Sequence, residues 1–301
     1  MTLNDICRKC LLDKFYNGFP EDAPEEKKAE YREKVLNEVY HDGGRTSPEI
    51  VERITKIYRA LFGPEKDYSE IKSHYNRLML SFEKMMRDAA DSSPEPLLTA
   101  LRYAAAANYI DFSAMDSVDE NKLGELLMKA KDVKFDENAY LSLKKDVSNA
   151  KRLVYFTDNC GEIVADKLVI RAAERLNPQL EAYAIVRGEQ AVNDATLEDA
   201  YEVGLDGTAK VVSSGSGVGG NVMRLLSDEA RKAAESADVL ISKGQANYET
   251  LEGCGLNVYY IFLCKCDRFL SEFNVPRFTP ILTKERTVNC NSPQIRVLPR
   301  L

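Results

Sequence analysis

Two hydrophobic rhythms divide this chain. From residue 1 to about 147, apolar side chains recur three and four positions apart, as in Ile50, Ile54, Ile57, Tyr58 and Leu61, then Ile71, Tyr75, Leu78, Phe82, Met85 and Met86. Each set forms a stripe along one helix face, which is the signature of core packing. Helix starts separate the stripes: Ser47 ahead of Pro48 predicts an N-cap with proline at the first helical position, Asp67 with Glu70 and Ser117 with Glu120 have capping-box spacing, and Ser93-Pro94 opens another helix. The alanine run within Leu101 to Asn108 predicts a closely packed helix that ends near Asn108.

From about residue 150 the rhythm changes to strand, loop, helix. Short apolar runs bounded by turn formers predict strands at Leu153 to Phe156, Ala182 to Val186, Lys210 to Ser213, Asp238 to Ser242 and Asn257 to Leu263. Helical spacing returns between them, in Ile163 to Leu176 and in Val222 to Ser236. Such alternation implies an α/β fold with a mostly parallel sheet of about five strands and right-handed crossovers. The expected organisation is a helical domain over residues 1–147, an α/β domain over 148–286, and a tail from Thr287 to Leu301 with weak periodicity, two prolines and no functional reading.

Bulk properties narrow the classes. The 301 residues carry a net charge of −7, and the lysines and arginines are interspersed with acids, which argues against a nucleic-acid surface. No apolar stretch approaches the roughly 20 residues of a membrane span, and the start Met1-Thr2-Leu3-Asn4-Asp5 lacks a signal-peptide core, so a cytoplasmic protein is expected. Seven scattered cysteines read as reduced thiols; Cys7-x-x-Cys10 is a lone pair that Cys264 and Cys266 could complete as a metal site across the fold. The two histidines, His41 and His74, give no basis for a histidine triad or a zinc site.

Parallel strands bring their carboxyl ends to one edge, where ligands collect in open α/β sheets. The first strand delivers Asp158 and Asn159 there, the second Asn193 and Asp194, the third Ser213-Ser214-Gly215-Ser216-Gly217, the fourth Lys243 through Asn247 to Glu249, and the fifth ends at Lys265. Carboxylate and amide oxygens without histidine or thiolate make a hard-oxygen site suited to magnesium or manganese. Ser214, Gly215 and Ser216, entering a helix, offer N–H groups to an anion, and Lys243 adds a compact positive charge. Together they describe a phosphate held between a metal and a lysine.

Plainer readings compete. Asn159 and Glu162 have capping-box spacing, Asp194 is placed to cap the helix that starts near Thr196, and Lys243 could be a solvated strand end. Gly215-Ser-Gly217-Val-Gly219-Gly220 also fits the dinucleotide fingerprint, but that fingerprint wants an acid at the end of the next strand, where Lys243 stands.

The segments Asp158-Asn-Cys-Gly-Glu162, Val186-Arg-Gly with Asn193-Asp-Ala-Thr-Leu-Glu-Asp199, and Ser242-Lys-Gly-Gln-Ala-Asn-Tyr-Glu-Thr-Leu251 resemble the damage-control phosphatases, a family also labelled in the past as protein-glutamate methyltransferases. Cys7-x-x-Cys10, Asn108-Tyr-Ile-Asp-Phe112 and Lys265-Cys266 look like marks of its archaeal and bacterial branch. The resemblance spans residues 7 to about 266 in order. It implies a helical domain packed on a Rossmann-like domain, and hydrolysis of small phosphorylated metabolites with manganese, cobalt, nickel or magnesium. Carried over by position, Asp158, Asn159 and Asp194 would hold the metal, and Glu162, Asn193, Lys243, Asn247 and Glu249 would line the substrate pocket. Glu249 or Asp194 would take a proton from the attacking water. Three positions depart from the family pattern: Arg187 where lysine is common, Ala246 where glycine is usual, and Cys160 where alanine is usual, which would make the site sensitive to oxidation. The other classes kept open are an S-adenosylmethionine-dependent carboxyl methyltransferase, whose cofactor wants a glycine-rich turn after the first strand, and a non-catalytic nucleotide-binding or scaffold protein.

Overall fold

Strand β1 (Arg152–Phe156) is central because Leu153, Val154, Tyr155 and Phe156 are apolar on both faces and fully buried. In the computed structural model of the chain, which describes residues 1–113, 115 and 117–285, β1 pairs in parallel with β2 (Glu181–Val186) on one side and with β4 (Val239–Lys243) on the other. Strand β3 (Lys210–Ser213) lies parallel beyond β2, and β5 (Val258–Leu263) parallel beyond β4. The sheet order is β3-β2-β1-β4-β5-β6, closed at its far edge by the antiparallel β6 (Pro280–Lys284). Each of the five strands expected from sequence lies within one residue of its predicted ends. Strand β6 is an addition. Its proline is tolerated as the first residue of an edge strand, and only Leu282 of its residues is buried, so its apolar pattern is faint.

The chain leaves β1 toward β2 and returns from β3 to β4, so the order reverses between β1 and β4. Their carboxyl ends diverge there and leave a crevice, the usual ligand position of an open α/β sheet. One face of the sheet is covered by α8 (Ile163–Leu176), which matches its predicted bounds, and by α5 (Pro96–Ala107). The alanines of α5 carry no bulk beyond Cβ, so α5 packs closely on α8 and reaches β5. Helices α4 (Ser69–Asp91), α6 (Glu120–Met128) and α7 (Glu137–Asn149) share this core. The opposite face is covered by α10 (Asp228–Glu235), α11 (Gln245–Leu251) and α12 (Asp267–Phe273). Helices α1 (Asp5–Phe15), α2 (Glu25–Tyr40) and α3 (Ser47–Phe62) bury a smaller core of their own, in which Tyr31 meets Tyr58 and Phe62 edge to face. Helices α3 and α1 lean on α11 and α12 at the carboxyl edge of the sheet. Helix α9 (Leu197–Glu202) follows β2.

Several helix starts shift from their predicted caps. Thr46, not Ser47, caps α3 and forms the capping box with Glu49, while Asp119, not Ser117, caps α6. Asp67 binds the backbone N–H of Ser69 at 2.9 Å without making a capping box, and α5 begins behind Glu95. After β3 the predicted helix from Val222 is a 3₁₀ turn, Met223–Leu225, and α10 starts only at Asp228. The tail 287–301 lies outside the described residues.

Candidate active site at the strand ends

The site is built by lacing together the loops that follow β1 and β2. Asn159 and Asp194 form an isolated antiparallel bridge, the N–H of Ala195 donates to Asp158 O at 2.8 Å, and the N–H of Cys160 donates to Asn193 O at 2.8 Å. This short ladder sets Asp158 and Asn159 beside Asp194. The loop that carries Asp194 is strained: Val192, a β-branched residue, has φ 49°. Asp194 is free for the site because Thr196 caps α9 instead, in a capping box with Asp199.

Asn159 and Glu162 make half of the predicted capping box. The Glu162 side chain accepts from the Asn159 backbone N–H at 2.7 Å, but Asn159 does not accept in return. Its side-chain NH₂ donates to Asp158 Oδ2 at 3.0 Å and to Glu162 Oε1 at 3.1 Å, and Glu162 is itself the N-cap residue of α8. Two carboxylate acceptors fix the amide orientation, so Asn159 Oδ1 faces away from them. Asn108, at the end of α5, donates from the other side to Asp158 Oδ2 at 3.1 Å and to Glu162 at 2.9 Å, while its Oδ1 accepts from Leu263 N–H. Burial, together with Glu162, Asp194 and Asp111, raises the Asp158 pKa well above the carboxylate range; Lys265 opposes the rise.

Lys243 has no solvent exposure. Its ammonium donates to Glu162 Oε2 at 3.0 Å and to Asp166 Oδ1 at 2.7 Å. Burial works against its charge, yet Asp166 and Glu162 overcome that cost and raise its pKa above the ordinary 10.5. The ammonium expected to face a phosphate is enclosed here by two acids and touches the site through Glu162.

Asp194 Oδ2 accepts from Arg187 Nε at 2.5 Å, and both side chains are buried. Burial lifts its pKa to about 6 although Arg187 pulls it down. Asn193 turns its Oδ1 to the N–H of Phe112 at 3.1 Å and braces that loop. Asn247 is spent on Thr157 O, Lys243 O and Asn221, so it ties β1, β4 and the glycine loop together. The hydroxyl of Ser214 accepts from the N–H groups of Gly188 and Ser216, and Gly215 N–H donates to Ser213 Oγ, so those two loop amides hold one another's turn. The amides still free lie further on: among the described residues, Gly217, Gly219 and Gly220 N–H find no acceptor. The amides without an acceptor therefore lie after Ser214-Gly215-Ser216, within Gly217–Gly220, and no α-helix begins there to complete a dinucleotide fingerprint.

A cavity of about 500 Å³ opens between these loops and α1 and α3. Asp194, Gly217, Gly219 and Glu249 line one end, and Phe15, Tyr68 and Phe112 line the walls. Glu249 Oε2 is buried without a partner among the described residues, and burial raises its pKa. Cys7, Cys10 and Cys266 also face this cavity, with Arg268 donating to Cys7 Sγ at 3.4 Å; among the described residues no three His, Cys, Asp or Glu groups are placed to hold a metal. Cys160 is fully buried, and burial pushes its thiol pKa far up, so it is not an exposed oxidation target.

An oxygen-ligand cation fits a different set, one that includes an amide. Among the described residues, Asp158 Oδ1, Asn159 Oδ1 and Asp194 Oδ1 accept no hydrogen bond. The buried cluster around them holds the acids Asp111, Asp158, Glu162, Asp166 and Asp194 against the cations Arg187, Lys243 and Lys265. With all five acids ionised, two negative charges are left over, which one divalent cation would balance.

Comparison with known proteins decides the family. The family model for the damage-control phosphatase ARMT1-like domain matches residues 4–279. The chain belongs to that family. It is a hydrolase of the phosphatase class. It is similar to a protein named damage-control phosphatase from Archaeoglobus fulgidus, at 29% identity over 91% of this chain and 96% of the relative. A damage-control phosphatase from Pyrococcus horikoshii is 32% identical over 66% of this chain and 70% of its own length. The crystal structure of a DUF89 family protein from Pyrococcus horikoshii superposes with a TM-score of 0.79 at 23% identity, covering 95% of this chain and all of that one. That likeness supports the fold.

In this phosphatase, sequence reasoning passed over Asp166 and gave Asn108, Asp111, Arg187 and Lys265 as family marks or strand-end positions without a role. Asp166 had a readable signal: it lies four residues after Glu162, so both acids share one face of α8. Arg187 directly follows Val186, the last residue of the second strand, and had the same claim to the sheet edge as Asp158. Asn108 gave its place after the alanine run and its part in the Asn108-Tyr-Ile-Asp-Phe112 family mark, neither of which shows a contact with Asp158.

Proposed function

We propose that this phosphatase is metal-dependent and hydrolyses small phosphomonoesters, with sugar phosphates, nucleotides and damaged phosphometabolites as its substrate range. The observation that carries the reading is the set of three unspent oxygens on Asp158, Asn159 and Asp194, inside a buried cluster short of two positive charges. These residues would hold a manganese, cobalt, nickel or magnesium ion, which supplies Lewis acidity to a phosphoryl oxygen and to the attacking water. The chain does the rest. Free N–H groups of Gly217 and Gly219, which line the cavity together with Asp194, point to a cradle for phosphoryl oxygens. Asn108 and Glu162 hold Asp158 and Asn159 in place. The cavity of about 500 Å³ is in the size range of ligand sites and leaves room for an organic body beyond the phosphate.

Asp158→Asn keeps the shape of the side chain while removing a charge. Phosphate release from a panel of sugar phosphates and nucleotides, measured with manganese and with chelator, should depend on the metal in the unmodified protein and fall at least ~100-fold in the variant, as expected for loss of a charged electrostatic group. Equal turnover with chelator, or an unimpaired variant, would overturn the reading.

A further inference from the structure

Asp166 is a buried carboxylate that the reaction as described does not touch. Its Oδ1 accepts from Lys243 Nζ at 2.7 Å and from Tyr155 Oη at 2.7 Å, and its Oδ2 is enclosed with no partner among the described residues. Holding the fold does not require this arrangement, because a buried ion pair contributes little compared with apolar packing of the same volume. What the pair does is fix Lys243 between two acids. Lys243 then braces Glu162, whose oxygens also receive the Asn159 backbone N–H, the Asn159 amide and the Asn108 amide. Those amide contacts set which way Asn159 Oδ1 points.

We infer that Asp166 is a positioning residue for the phosphatase reaction: acting through Lys243 and Glu162, it aims the oxygen of Asn159 at the place where Asp158 and Asp194 would hold a cation. The inference rests on the metal-dependent reading above. Asp166 needs no contact with substrate. Second-layer groups of this kind typically change metal affinity or activity 10- to 100-fold when altered.

The test uses the full chain with Asp166→Asn, which keeps the volume and an acceptor oxygen but removes the charge that shares Lys243. Manganese affinity by titration calorimetry should weaken about tenfold, and kcat with p-nitrophenyl phosphate at saturating manganese should fall about tenfold while KM stays within about twofold. A purely structural residue would lower the melting temperature and leave manganese affinity unmoved, so unchanged affinity in a folded variant overturns the inference alone. Absence of manganese binding by the unmodified protein overturns both this inference and the metal-dependent reading. If Asp166→Asn does not fold, Tyr155→Phe removes one of the two contacts to Oδ1 without changing charge. Its manganese affinity should weaken about threefold, a fraction of the effect of losing a whole second-layer group, and unchanged affinity again overturns the proposal.

Discussion

Gly244 lies against Asp158 so closely that a Cβ on it would stand 1.9 Å from the carboxylate Oδ2. Its backbone, at φ 86° and ψ 159°, is in a region that essentially only glycine occupies. The turn after β4 thus forms one wall around the Asp158 carboxylate. Gly244→Ala should cost about 2 kcal/mol for the backbone alone. It should also push Asp158 from its place and remove phosphatase activity even in protein that remains folded. Thermal melting together with phosphate release checks both parts; an active, stable Gly244→Ala would show that the wall can yield.

How much of this was legible in sequence depends on what each residue does. The strands could be read because Leu153 to Phe156 and Val258 to Leu263 are buried on both faces and carry unbroken apolar runs. Asp158, Asn159 and Asp194 could be read because strand ends locate them. The direction of side chains was not legible. Lys243 ends a strand at the rim yet folds back between Glu162 and Asp166, a choice made by two acids on another element. Ser214 looked like an anion donor and instead holds its own loop, since a hydroxyl next to free amides satisfies them first.

Asn108 joins the helical part to the site through one side chain. Removing it in Asn108→Ala leaves Leu263 N–H without its acceptor and withdraws a donor from the Asp158 and Glu162 carboxylates. The expected loss is about 3 kcal/mol, at the upper end for unpaired buried polar groups. Asn108→Asp should be worse at pH 7 than at pH 5, because it replaces the shared donor with another acid. Urea unfolding at the two pH values measures this, and an Asn108→Asp protein indifferent to pH would speak against the contact.

The pH dependence of the metal-free protein follows from Asp166. Burial raises its pKa from 3.8 to about 6, with Lys243 pulling the other way. Below 3.8 the group is protonated in both folded and unfolded chains and makes no difference. Between there and about 6 the folded chain binds more proton, so stability falls as pH rises, and above about 6 the full penalty is present. Asp158 and Asp194, raised mainly by burial as well, act in the same direction. With chelator present, the protein should therefore be more stable at pH 5 than at pH 7, by about 1.4 kcal/mol for Asp166, since about one pH unit of that window lies between them. Asp166→Asn should flatten that slope, and a metal-free protein that gains stability toward pH 7 would contradict it.

Arg187 and Asp194 form the pair in which charge balance can be tested most directly. Arg187→Met keeps the length of the side chain but leaves Asp194 buried without its counterion, which costs roughly 3 to 5 kcal/mol when nothing replaces the charge. The surplus around the site then rises from two negative charges to three, so a divalent cation gains more by binding. The melting temperature should drop sharply without metal, and saturating manganese should raise it by more degrees than it raises the unmodified protein. Phosphatase rate should stay low even so, because Arg187 Nη1, a buried donor with no partner among the described residues, is lost with the guanidinium. A manganese-induced rise no larger than that of the unmodified protein would mean that Asp194 and the cation do not share one site.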